Sequence, residues 1–123
     1  MMTVVLLASD TGLLTQLQAA FARQAPELRV VLSDDPLAAQ AQVAACWYPP
    51  ANSMSRLPNL QLVHSVAAGV DHLQTDPSRP DVPACRVVDP DHRQGMTEYV
   101  RRAVLNFHRD FDRATAQQRQ SIW

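Results

Sequence analysis

The sequence contains no lysine, and all eleven of its cationic side chains are arginines. This absence excludes a phosphate-loop lysine, a Schiff-base lysine and the switch lysine of a phospho-receiver domain. Glycine is also scarce: the chain has three, Gly12, Gly69 and Gly95, and they do not form the G-x-G-x-x-G pattern of a dinucleotide site. The function therefore has to be sought in other residues.

Cysteine and charge exclude several further classes of protein. Cys46 and Cys85 lack the spacing of a metal or redox site, so we expect no metal site and two free thiols in a reducing cytoplasm. The net charge is −1 and no basic patch is present, which argues against a nucleic-acid partner. The apolar run at the N-terminus has no basic leader, so it is expected to be a strand rather than a signal peptide. No apolar run approaches the length of a membrane span.

Apolar segments of strand and helix type alternate over the first three quarters of the chain. Strands are expected over Thr3–Ala8, Leu28–Leu32, Gln42–Trp47, Leu60–Ser65 and Arg86–Val88. A helix is expected from Thr11 to just before Pro26, and a short helix from Ser33 to Ala41. This order predicts an α/β fold with a flavodoxin-like, doubly wound parallel sheet of five strands, assigned to residues 1–93.

The last part of the chain has a different pattern. Between residues 96 and 120 there is no proline or glycine, and apolar side chains recur at steps of three and four. The pattern predicts one long amphipathic helix, assigned with its flanks to residues 94–123. Since its apolar face needs a partner, we expect a homodimer or another association through helix 96–120.

Three segments are expected at the carboxyl edge of the sheet, where open parallel sheets bind ligands. They are Ser9-Asp10, Trp47-Tyr48-Pro49-Pro50 and Ala67-Ala68-Gly69. The backbone N–H groups of Ala68, Gly69 and Val70 can bind a carboxylate there, and Trp47 can form a wall of the pocket. In the alternative interpretation, Gly69 only makes a tight turn and Trp47 only covers the core. Among the histidines, His72 lies nearest this segment.

Residues 57–73 resemble a motif of the D-isomer-specific 2-hydroxyacid dehydrogenases, L-P-x-L-K-x-I-x-x-x-G-A-G-V-D-H. Cys46-Trp47-Tyr48-Pro49-Pro50 is similar to the W-x-P-P loop of the glyoxylate/hydroxypyruvate reductase A branch. Further similar segments follow in order and cover most of the chain after Ala45; they are Val82-Pro83, Arg86-Val87-Val88-Asp89, Met96-Thr97-Glu98-Tyr99-Val100 and Phe107-His108-Arg109-Asp110-Phe111-Asp112-Arg113.

The resemblance implies roles for particular residues. The amides at Ala68 and Gly69 would hold the carboxylate of a small 2-keto acid, with Ala67 and Val70 completing the loop and Trp47 lining the pocket. Ala67 stands where the family usually has glycine. Met96 would approach the nicotinamide from the start of the interdomain helix.

The resemblance also implies what this chain lacks. The chain would be the N-terminal, substrate-binding half of an NAD(P)-dependent oxidoreductase that reduces glyoxylate or hydroxypyruvate to a D-2-hydroxy acid. The family's catalytic Arg, Glu and His, and its nucleotide-binding Rossmann domain, would lie outside it. We therefore expect no catalytic residue, no bound NAD or NADP and no turnover from this chain alone. The alternative is a stand-alone α/β module that binds small carboxylates, or that associates through its helix, without catalysis.

Overall fold

The structure is a computed structural model that describes residues 1–122. The chain divides into two compact units, the first being Met1–Val87 and the second beginning at Val88. The assignment of functional domains to residues 1–93 and 94–123 stays a prediction.

The first unit contains a five-stranded sheet in which all neighbouring strands are parallel. Its strands are β1 (Thr3–Ala8), β2 (Arg29–Leu32), β3 (Val43–Trp47), β4 (Leu62–Ser65) and β5 (Ala84–Arg86). They lie in the order β2-β1-β3-β4-β5, which is the flavodoxin-like doubly wound order. The predicted fold class is confirmed.

The two faces of the sheet carry different layers. One face, the loop face, has a buried cluster in which strand residues meet residues of the connecting segments: Val5, Leu7, Val31, Ala44, Cys46 and Val63 meet Met54, Leu57, Leu60 and Leu73. The other face, the helix face, buries Val4, Leu6 and Ala45. Every residue of β1 is buried because successive side chains point to opposite faces and both faces are covered.

Helix α1 (Thr11–Gln24) covers the helix face. Its apolar stripe, Leu14, Leu17 and Phe21, packs against the buried strand residues, as the helical spacing predicts. Asp10 begins the helix because its Oδ1 accepts a 3.0 Å hydrogen bond from the N–H of Leu13. The helix ends before Pro26, as expected.

Two of the predicted elements were wrong in detail. The short helix expected from Ser33 to Ala41 is a series of turns ending in a 3₁₀ helix over Ala38–Gln40. Here the Oδ1 of Asp35 accepts a 2.7 Å hydrogen bond from the N–H of Leu37 and stabilises a turn instead. The fifth strand spans Ala84–Arg86 rather than Arg86–Val88. It ends at Arg86 because the N–H of Val87 donates to a loop carbonyl outside the sheet.

Three strands begin slightly later than expected. β2 begins at Arg29, β3 at Val43 and β4 at Leu62. At β4 the cause is a turn, in which the N–H of Leu60 donates to the carbonyl of Leu57. Leu60 is still buried, so the sequence pattern identified its burial and missed its backbone conformation.

The second unit contains the expected long helix with different bounds. After the short helix α2 (Asp71–Gln74) of the first unit, helix α3 spans Pro90–Arg109, and a separate helix α4 spans Phe111–Arg119. α3 begins earlier than residue 96 because Asp89 caps it and proline fits its first turn. The uninterrupted helix expected over 96–120 is wrong: Asp110 adopts a left-handed backbone, with φ 53° and ψ 43°. A short polar side chain tolerates that conformation and ends α3. None of the helices described in residues 1–122 is both long and apolar enough to span a membrane.

Candidate functional site

The candidate site lies where β3, β4 and β5 end. In the register of the sheet, Cys46 is opposite Ser65, and Ser65 is opposite Arg86. The N–H of Val66 donates to the carbonyl of Cys46 at 3.0 Å. Trp47 and the residues after β4 therefore leave the sheet side by side, as predicted for the carboxyl edge.

The segment of residues 67–70, called the amide loop below, has three consecutive carbonyls that are each held by a donor. The carbonyl of Ala67 accepts from the N–H of Val87 at 3.1 Å. The carbonyl of Ala68 accepts from Nη1 of Arg86 at 3.1 Å. The carbonyl of Gly69 accepts from Oγ of Ser65 at 2.6 Å. The ends of β4 and β5 therefore fix the orientation of three successive peptide groups.

This tethering determines where the amides of the loop point. All peptide bonds of the described residues are trans, so each N–H points opposite to the carbonyl of the same peptide group. The amides of Ala68, Gly69 and Val70 point away from the tethering donors, and within residues 1–122 they have no protein acceptor. Two of the three carbonyls are held from the β5 side, by Val87 and Arg86, so the amides of Ala68 and Gly69 point away from β5.

Ala67 differs from the other residues of the loop. Its N–H donates to Oγ of Ser65 at 3.3 Å, so this amide is not free for a ligand. Ala67 contributes a methyl group and a tethered carbonyl instead. Ser65, which is fully buried, thus binds the loop at two points.

The side chain of Asp71 limits the space at Gly69. Its φ lies outside the left-handed region, so the backbone conformation itself does not require glycine. A Cβ atom at this position would lie 3.1 Å from Oδ1 of Asp71. The carboxylate of Asp71 therefore lies close to the loop, and the absence of a side chain leaves room for it.

Aromatic rings form one side of the site. The ring of Trp47 contacts those of Tyr48 and His72, with centroid distances of 4.9 and 5.0 Å. His72 is buried, and its two ring nitrogens have no partner among residues 1–122. Oη of Tyr48 donates to Oδ2 of Asp71 at 3.3 Å. A cavity of about 250 Å³ lies beside this cluster; its lining is Tyr48, Pro49, Ala51, Asp71, His72, Thr75, Asp76 and Pro77.

Tyr48 has an unusual backbone. Its φ is 43°, which is rare for an aromatic residue. Both the N–H and the Oγ of Ser9 donate to its carbonyl, at 3.2 and 2.8 Å. The end of β1 therefore holds the residue that follows Trp47 in place.

The sequence analysis assigned no role to four residues that shape the site. Ser65 and Arg86 tether the loop, and Tyr48 and Asp71 link it to the aromatic cluster. The only signal for the first two was that each is a polar residue at the end of an apolar strand segment. Met96, the predicted cofactor contact, lies in α3 and is half exposed, and its role stays a prediction.

The thiol of Cys46 is not a reactive group of the site. Burial, with a smaller contribution from the carboxylate of Asp76, raises the pKa of Cys46 from 9.0 to about 12. Both cysteines are free thiols, and Cys85 is half-buried. Among residues 1–122, no cluster of three His, Cys, Asp or Glu side chains could hold a metal ion.

The β1–α1 turn does not fit a nicotinamide dinucleotide. In dinucleotide-binding domains, the pyrophosphate sits at the N-terminus of the helix after the first strand. Here the carboxylate of Asp10 caps that helix, and a Cβ at Gly12 would lie 3.2 Å from its Oδ1. A negative charge therefore stands where the pyrophosphate would bind, so no step is assigned to a cofactor held by these residues.

Together, the parallel sheet and its strand order define an α/β domain of the flavodoxin-like class, and the amide loop lies at its carboxyl edge. No protein-family model matches the sequence. Several solved structures resemble the whole chain. A D-isomer specific 2-hydroxyacid dehydrogenase family protein from Klebsiella pneumoniae is 40% identical with a TM-score of 0.74, over 99% of this chain and 39% of that one.

Two further solved structures are enzymes in complex with a nucleotide. A D-isomer specific 2-hydroxyacid dehydrogenase from Xanthobacter autotrophicus, in complex with NADPH and MES, is 31% identical with a TM-score of 0.73, over 99% of this chain and 40% of that one. The NADPH-dependent glyoxylate/hydroxypyruvate reductase from Sinorhizobium meliloti, in complex with NADP and sulfate, is 29% identical with a TM-score of 0.75, over 100% of this chain and 40% of that one.

These matches confirm the resemblance: the solved structures that are similar to the whole of this chain are D-isomer-specific 2-hydroxyacid dehydrogenases. The chain spans 39–40% of the length of the solved structures that it matches.

Proposed function

We propose that this chain is the substrate-binding portion of an NAD(P)-dependent oxidoreductase that reduces small 2-keto acids of the glyoxylate or hydroxypyruvate type to D-2-hydroxy acids. The observation that carries the proposal is the set of three free amides, at Ala68, Gly69 and Val70, in the loop that follows β4 at the carboxyl edge of the sheet. Support also comes from the 29% identity to a glyoxylate/hydroxypyruvate reductase.

The substrate carboxylate would accept hydrogen bonds from the amides of Ala68 and Gly69, with that of Val70 as a third donor. Charge-assisted bonds of this kind are about twice as strong as neutral ones. Trp47 would line the pocket and exclude water. The methyl group of Ala67 would narrow the site and favour the smallest keto acids.

The hydride would come from NADH or NADPH bound by the remainder of the intact enzyme, with Met96 near the nicotinamide. By the family resemblance, the Arg, Glu and His of the reaction belong to that remainder. This chain alone would therefore bind a keto acid without reducing it. Its two free thiols favour a reducing cytoplasmic location.

Binding can be tested by following backbone amide resonances while glyoxylate is added to the ¹⁵N-labelled chain. We expect saturable shifts of Ala68, Gly69 and Val70, with Ala67 moving less because its N–H is already bound. Glycolaldehyde, which lacks the carboxylate, is the matched control and should shift them weakly. Shifts that avoid the amide loop would contradict the assignment of the site.

Catalysis is tested separately by the absorbance of NADPH at saturating glyoxylate. The purified chain should give no oxidation above the blank. Sustained turnover by homogeneous protein would refute the claim that this chain is inactive alone.

The exposed apolar side chains of α3 and α4 favour a second candidate function, association through the helices. Phe107 is 89% exposed, Tyr99 67% and Val104 60%. Such side chains on one amphipathic helix are typical of an interaction surface. We expect sedimentation equilibrium to show a homodimer that the Phe107→Glu variant weakens. A monomer at every accessible concentration would argue against this function.

A further inference from the structure

We propose that Arg86 is the positioning residue of the carboxylate site and supplies its positive charge. The inference rests on the proposed function, because it assumes that the amide loop receives a carboxylate. Arg86 is the last residue of β5 and lies opposite Ser65, the last residue of β4. Its guanidinium therefore leaves the sheet next to the loop that it contacts.

Arg86 contacts the amide loop directly. Nη1 of Arg86 donates to the carbonyl of Ala68 at 3.1 Å, and this carbonyl shares a peptide group with the N–H of Gly69. Holding the carbonyl orients that N–H away from Arg86 before any ligand arrives. The central donor of the loop therefore depends on one side chain.

In the described part of the chain, the positive charge of Arg86 is not neutralised by a carboxylate. Among residues 1–122 the sole ion pair joins Arg113 and Asp110, at 3.9 Å. Arg86 is exposed, and one hydrogen bond is formed out of the five that a guanidinium can donate.

A negatively charged side chain, that of Asp71, lies close to the amide loop. Asp71 follows the loop directly, and its Oδ1 lies within 3.1 Å of the position of a Cβ on Gly69. This carboxylate would repel an anion bound to the free amides. The guanidinium of Arg86 contacts the loop on the other side of the Ala68–Gly69 peptide group, and its positive charge partly offsets that repulsion. The family resemblance places the substrate-binding arginine elsewhere, so Arg86 would be an additional cation.

The test compares three variants for glyoxylate binding, measured through the amide resonances of residues 68–70. Arg86→Met removes the charge and the hydrogen bond, and Arg86→Lys keeps the charge without the planar fork. Arg29→Met is the matched control, because Arg29 is an exposed strand arginine at the opposite edge of the sheet. We expect the dissociation constant to rise about tenfold or more in Arg86→Met, to rise less in Arg86→Lys and to stay unchanged in Arg29→Met.

Two further readouts separate this role from a structural one. Added salt should weaken binding to the wild type and to Arg86→Lys more than to Arg86→Met, since only the first two retain the charge. The weak response to glycolaldehyde should be the same in all variants, because that ligand carries no charge. A purely structural role would change both ligands alike and leave the salt dependence unaltered.

The outcomes distinguish the inference from the proposed function. If the wild type shows no shifts at residues 68–70, the carboxylate site fails and the inference fails with it. If the wild type binds and Arg86→Met binds equally well, the inference alone is overturned. Should Arg86→Met fold poorly, Arg86→Lys decides: wild-type affinity with wild-type salt dependence would overturn the positioning role of the fork.

Discussion

The two faces of the sheet are buried to different depths, although the same strands build both. Leu7 on the loop face and Leu6 on the helix face are each 1% exposed. The neighbours of Leu7 are themselves buried, for example Met54 at 3% and Leu73 at 2%. The neighbours of Leu6 include α1 residues that are only partly buried. Burial of a side chain therefore does not describe how rigid its surroundings are.

The largest test of this difference is a pair of adjacent core truncations. Leu7→Ala should lower the free energy of unfolding by about 4 kcal/mol, because its closed surroundings leave an unfilled cavity. Leu6→Ala should lower it by about 2 to 3 kcal/mol, because half-buried side chains of α1 can move into the space. Urea denaturation of both variants and the wild type measures the difference.

Leu32→Ala serves as a control for the residue type, since Leu32 is a partly buried leucine on the helix face. Its effect should be the smallest of the three. Equal losses for Leu6→Ala and Leu7→Ala would mean that the two faces are equally rigid and that the comparison is wrong.

The second test uses the two cysteines, which lie on opposite faces. Cys46 belongs to the loop-face cluster, and Cys85 is opposite His64, which is opposite Ala45 of the helix face. The pKa of Cys46 is 9.0 when unfolded and about 12 when folded. Between these pH values the unfolded chain loses a proton that the folded chain keeps, so stability falls as pH rises.

The expected slope is a loss of up to about 1.4 kcal/mol per pH unit above pH 9, with no contribution from this group below it. Urea denaturation of the wild type and of Cys46→Ala at pH values from about 8 to about 11 measures this slope. Parallel curves for the two proteins would contradict the assignment. In the native protein, a thiol reagent should modify Cys85 before Cys46.

The smallest expected effect on stability is that of replacing Ser65, and His64, its neighbour in β4, provides the control. Ser65→Ala should lower the free energy of unfolding by about 1 kcal/mol, because two hydrogen bonds to the amide loop are lost. It should also speed hydrogen exchange at Ala67, whose N–H then loses its acceptor. His64→Ala, on the half-buried helix face, should leave exchange in the loop unchanged. A loop that exchanges at the same rate in Ser65→Ala would show that the hydroxyl does not hold it.

The fold was readable from the sequence wherever packing decides the structure. β1 was predicted with its observed bounds because a strand buried on both faces is apolar throughout. β5 was misplaced because Val87 and Val88 have strand propensity, whereas the N–H of Val87 bonds to the loop. The break at Asp110 was missed because apolar spacing continues across it from Phe107 to Phe111.

The site was readable only in part, for a related reason. Small residues after a strand predict accessible amides, so Ala68, Gly69 and Val70 could be named in advance. The donors that orient those amides come from β4 and β5 through the register of the sheet. Register is a long-range property, and no local pattern around Ser65 or Arg86 reveals it.

The left-handed backbone of Tyr48 has a consequence for the order of folding. This conformation is unfavourable by itself, by roughly 1 to 2 kcal/mol. It is compensated by Ser9, which is 39 residues away in the chain, and by the contact with His72. These contacts exist only after β1 and β3 have paired, so Tyr48 cannot reach its native conformation early. The site should therefore form late in folding, after the sheet that supports it, and its aromatic cluster should be a spectroscopic reporter of the final step.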